Sequence, residues 1–120
     1  MAGVAEYKTL GQVAPGTSWV PLYEVPVGRQ AIVSTLTACY LGATGQDTYS
    51  VQVRPAGEAE APRHYLVSAR AGGVAPSGTG EVGATDAMSL GLTLAAGDRV
   101  MVSASAPDTY AIHAYGTEIQ

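Results

Sequence analysis

The sequence predicts an all-β fold, a single antiparallel β-sandwich or jelly-roll-like domain of about 7–8 strands, and three observations carry that expectation. Apolar and polar residues alternate with a period of two along most of the chain. Pairs of Gly, Pro and Asp punctuate the alternation at close, regular spacing. The length of 120 residues supports one hydrophobic core and not a second. With 47% hydrophobic and 13% charged residues, the chain is too apolar to stay disordered. It also has no unbroken apolar run of membrane-spanning length.

Taken in order, residues 1–16 form an N-terminal arm that lies on its own core or across a neighbouring subunit, with 7–12 as an extra strand if it pairs. The start of the chain has no basic segment leading into an apolar stretch and a small-residue cleavage site, so the expectation is a protein made and kept in a cytosol. Residues 17–120 form the sandwich domain. Strands are expected at 18–24, 30–40, 48–54, 64–69, 87–93, 99–104 and 109–117, each rich in β-branched, aromatic or small residues. In 48–54 the alternation puts Tyr49, Val51 and Val53 on one face and Ser50, Gln52 and Arg54 on the other. In 87–93 the inward row is Met88, Leu90 and Leu92, extended by Leu94. Turns fall at 26–28, 42–45, 55–57, Gly97-Asp98 and Pro107-Asp108, where Pro fixes φ or Gly and Asp tolerate a positive one. Short helical turns at 58–63 or 84–89 are compatible with the alanine content, and Pro55 and Pro62 keep the first of them short.

Segment 70–83 is dense in glycine and reads as a flexible loop. Within it, Gly78-Thr79-Gly80-Glu81-Val82-Gly83 matches the dinucleotide fingerprint by letter. That fingerprint works by aiming helix N-terminal amides at a pyrophosphate, and a strand pattern follows here, so the loop reading is preferred.

The remaining chemistry is sparse. Lys8 is the only lysine, and Arg29, Arg54, Arg63, Arg70 and Arg99 are scattered in a chain of net charge −4, so no basic stripe is available to a nucleic-acid backbone. His64 and His113 lack a second ligand at metal-site spacing and read as surface or cross-strand residues. Glu58 and Glu60 flank Ala59 in a proline-bounded loop; sugar hydrolysis would need one of them in an apolar cleft, and a solvated loop is the preferred reading. Asp98 is expected to close a turn, Cys39 to be a buried inert thiol, and Trp19 to lie in the core. A stacking surface for a glycan, made by Trp19 and the tyrosines, is the alternative. The sequence thus predicts no catalytic residue, cofactor or metal, and no enzymatic activity.

Three stretches resemble a known family: Leu22-Tyr23-Glu24-Val25-Pro26-Val27-Gly28-Arg29-Gln30-Ala31-Ile32-Val33-Ser34, then Val53-Arg54-Pro55-Ala56-Gly57 with Arg63-His64-Tyr65-Leu66, and Leu90-Gly91-Leu92-Thr93-Leu94-Ala95-Ala96-Gly97-Asp98. Together they are similar to small virion structural proteins of tailed bacteriophages, the head-decoration (cement) or tail-associated subunits. The resemblance implies a subunit on the outer surface of the head that binds the major capsid protein and stabilises the lattice. The alternative is a tail fibre or baseplate accessory protein that binds a host glycan. It also implies a homo-oligomer, a trimer by preference, with no nucleic-acid or membrane partner. On this reading the contact residues are Tyr7 and Leu10 in the arm and Arg54 and Arg63 at a polar rim. The 70–83 connection is longer than the family's pattern, which marks it as a place for a contact particular to this chain.

Overall fold

The computed structural model describes residues 5–42, 46–71 and 85–120. The described strands are β1 (Ala5–Val13), β2 (Val20–Glu24), β3 (Gln30–Tyr40), β4 (Tyr49–Arg54), β5 (Tyr65–Arg70), β6 (Thr85–Leu94), β7 (Arg99–Ala104) and β8 (Tyr110–Ile119). They form two antiparallel sheets, sheet A in the order β1-β8-β3-β6 and sheet B in the order β2-β7-β4-β5. That is the strand order of an eight-stranded jelly roll, in which the chain passes back and forth between two packed sheets. The expected all-β sandwich is therefore observed, and the stretch read as an arm supplies its first strand: Tyr7 lies opposite Thr117 and Val13 opposite Ile112.

The turns form where their residues allow. Gly28, Gly57 and Gly97 adopt φ of +80°, +77° and +87°, and Asp108 adopts +59°. Asp98 closes its turn as expected, its carboxylate accepting from the Ala95 amide at 2.9 Å and from the Ala56 amide at 3.0 Å. The helical turn allowed at 84–89 is not formed over its described residues 85–89, because the alternation from Thr85 to Leu94 commits them to β6. A single 3-10 turn, Pro62–His64, occupies part of the other candidate and takes His64 out of the strand assigned to it. The glycine fingerprint lies outside the described residues.

The core lies between the sheets. Val33, Leu36, Ala38, Ile112 and Ala114 from sheet A meet Leu22, Val51, Val100 and Val102 from sheet B, and all are buried. Two bulges flank Tyr115 of β8 in sheet A, since the β1 register shifts between Thr9 and Gly11, beside Tyr115 and Ala114, and the β3 register between Val33 and Thr35, beside Gly116 and Tyr115. Gly116 is required there: a Cβ at this position would stand 2.0 Å from the Ile32 carbonyl oxygen.

The chain has seven tyrosines and no phenylalanine, and the hydroxyls decide how they are used. Tyr40, Tyr49 and Tyr110 close one end of the core, with ring centroids 5.2 Å and 4.9 Å apart along the cluster. Tyr40 donates to the Asp47 carboxylate at 2.8 Å, Tyr110 to the Asp47 carbonyl at 2.7 Å and Tyr49 to Asp86 at 3.2 Å. Burial, with Asp86 alongside, pushes the Tyr49 phenol up from its ordinary value.

At the opposite end Glu118 is buried and clamps three elements. It accepts from Tyr23 of sheet B at 2.5 Å and from Arg29 at 2.8 Å, and lies 2.7 Å from the Lys8 ammonium. Lys8 foremost, then Tyr23 and Arg29, hold its carboxyl down at about 2 against the opposing effect of burial. Burial and the Glu118 hydrogen bond push Tyr23 upward in turn.

Candidate interaction surfaces

The two outer faces of the sandwich are built differently. On sheet B, Gln52 and Arg54 point away from the core yet are buried, Arg54 keeping only 7% of its surface exposed. The segment between β4 and β5 folds back over them. Gln52 accepts from Arg54 Nε at 2.8 Å and reaches the Ala61 carbonyl at 3.5 Å. The Arg54 guanidinium lies over the Trp19 ring at 5.3 Å, so its charge is met by an aromatic face and a neutral amide. Trp19 is fixed in turn by Tyr65, edge-on at 5.7 Å, and by donating its indole N–H to Glu60 at 3.1 Å. Trp19 is therefore half-buried on the outside of a sheet rather than in the core expected for it.

Glu58 ties down the rest of this cover. Its carboxylate accepts from Arg63 at 2.5 Å and lies 3.0 Å from His64 Nε2, and both contacts hold it below the usual carboxylate range. The neighbouring Glu58 carbonyl accepts from Arg99 at 2.5 Å. Glu58 and Glu60 thus each bind a named neighbour instead of standing as a free acid pair. Arg54 Nη2 and His64 Nδ1 are buried without a hydrogen-bond partner among the described residues.

Sheet A carries no such cover among the described residues. Its outward rows run Tyr7–Thr117–Ile32–Thr93, then Thr9–Tyr115–Thr35–Ser89, then Gln12–His113–Thr37–Ala87, with Ala111, Cys39 and Thr85 beyond. None of these side chains is Asp, Glu, Lys or Arg. The charged residues on the same strands turn away, Lys8 toward Glu118 and Asp86 toward Tyr49 and Arg70. Tyr7 is 68% exposed, and its hydroxyl reaches Ser34 Oγ at 3.2 Å, so its ring is held across the sheet. His113 Nδ1 lies 3.0 Å from the Tyr115 hydroxyl. Cys39 is half-buried on this face, more open than the buried thiol expected.

The four residues expected at an interface are not brought together. Tyr7 is exposed on sheet A, while Leu10, on the same strand, turns inward against the core. Arg63 is exposed and paired with Glu58 on the sheet B side. Arg54 is not at a polar rim, because the loop and Trp19 bury it. The uncharged face of sheet A was not anticipated from the sequence. Its signal was present in the outward positions of β3, β6 and β8, which read Thr, Ser, Ala, Cys, His and Tyr without a charge.

By strand order this chain is a jelly-roll β-sandwich. Comparison with protein-family models, curated proteins and solved structures finds no match.

Proposed function

We propose that this protein is a structural subunit of a tailed-phage virion, a decoration subunit that binds the major capsid protein on the outside of the head and stabilises the lattice. The observation that supports this best is the jelly-roll strand order, an architecture used repeatedly for viral capsid domains. The interior is filled by Val, Ala, Leu and Tyr side chains, as suits a subunit whose working parts are its surfaces. In this reading the chain performs no chemistry, and the exposed edge of β1 offers a row of backbone groups for strand addition by a capsid segment.

Copy number tests the proposal. Quantitative mass spectrometry of purified particles, counted against the major capsid protein, should give near-stoichiometric abundance. A handful of copies per particle would move the chain to the tail, and absence from the particle would overturn the virion reading.

A further inference from the structure

We infer that the outer face of sheet A is a self-association surface on which a second copy of this chain packs, sheet against sheet. The first argument is charge. The chain carries six basic and ten acidic residues, yet the rows around Tyr115, Thr37 and Cys39 contain none of them. Across a two-fold axis only the side chains close to the axis meet their own equivalents, and a charge placed there would face a like charge. A neutral face suits self-pairing of a chain with net charge −4, since it sets no like charges against each other, whereas a strongly charged partner would be met by complementary charge.

Size and shape agree with this. Four strands ~4.8 Å apart and ~10 residues long at ~3.3 Å per residue give each copy a footprint of about 600 Å2, so a pair would bury about 1,200 Å2, the lower end of the specific range. The β6 side contributes only Thr, Ala, Ser and Gly at its outward positions, which lets another sheet approach to the usual ~10 Å. Tyr7 and Ile32, both exposed, flank Thr117 in one row and supply apolar anchors. The Tyr7 ring is already held by Ser34, so little side-chain freedom is lost when it is covered. This inference stands apart from the virion reading: a self-associating chain absent from particles would sink that proposal alone, and a monomeric chain abundant in particles would sink this one alone.

The test is sedimentation velocity on the full chain from about 10 to about 500 μM, a range that reaches micromolar and weaker self-association. Species of twice the 12.2 kDa chain mass should dominate at the top of that range. Thr37→Arg, at the middle of the face, should weaken self-association at least ~100-fold by setting like charges against each other, with an unchanged far-ultraviolet spectrum. Val27→Arg, at a position 96% exposed in the β2–β3 turn, should leave it unaltered. Cys39, the sole cysteine, gives an independent readout in the unmodified protein: its labelling by a thiol reagent should slow as concentration rises. A chain that stays monomeric at the highest concentration would overturn the inference and leave the face to a different protein. So would a Thr37→Arg variant that still pairs, or a labelling rate independent of concentration.

Discussion

Sheet A and sheet B share a core, but among the described residues one outer face is bare and the other is roofed. On sheet B the outward residues of β4 are Gln52 and Arg54, polar groups that sit under Trp19 and the loop from Pro55 to Pro62. On sheet A the outward residues carry no Asp, Glu, Lys or Arg and are exposed or half-exposed. The difference teaches that hydropathy alternation assigns sides of a strand and not burial. Both faces read as "polar out", yet one has become a second, hydrogen-bonded layer.

Substitutions should separate the faces by the size of their effects. The largest is expected on the roofed side. Trp19→Ala removes the ring that meets the Arg54 guanidinium and packs on Tyr65, and should cost about 3 kcal/mol in chemical denaturation, near the low end for a large aromatic truncation because the ring is only half-buried. A cost below about 1 kcal/mol would show that the roof is an ornament on an already stable sheet.

The join between the sheets comes next. Glu118→Gln should cost about 2 kcal/mol, since it leaves Lys8 and Arg29 without their shared carboxylate. Because the folded carboxyl is depressed to about 2 from an ordinary 4.5, its contribution is fully present above the ordinary value and is lost as pH falls from there toward 2. Denaturation curves of the two proteins between pH 5 and pH 2 should therefore converge, and parallel curves would mean that Glu118 does not carry this acid sensitivity.

The smallest effect belongs to the bare side. Ser89→Lys, on exposed β6, should change the stability of the isolated chain by less than about 0.5 kcal/mol. A loss comparable to that of Trp19→Ala would mean that this face is covered within a single chain after all.

Much of the fold was legible because its signals are local. The alternations in β3, β6 and β7 gave strands with nearly or wholly correct limits, and the glycines at positions 28, 57 and 97 fell at turns that need a positive φ. The placement of Ala5–Val13 was not legible, since its pairing with β8 depends on residues about a hundred positions away. Trp19, Arg54 and His64 were misplaced for a related reason. What buries them is a loop folding across a sheet, and no periodicity announces a contact such as Trp19 with Glu60. The neutral face of sheet A was readable strand by strand, but only the strand order shows that its rows adjoin.

That order also governs when the molecule can form. β8 lies between β1 and β3, with Tyr7 and Ile32 both registered against Thr117. On the ribosome the first strand therefore has no neighbour within its sheet until the eighth has left the exit tunnel. Sheet A must form by slow, long-range pairing of its first strand with its last. In the interval the unpaired strand edges stand open to other chains, which is when this topology is most exposed to aggregation.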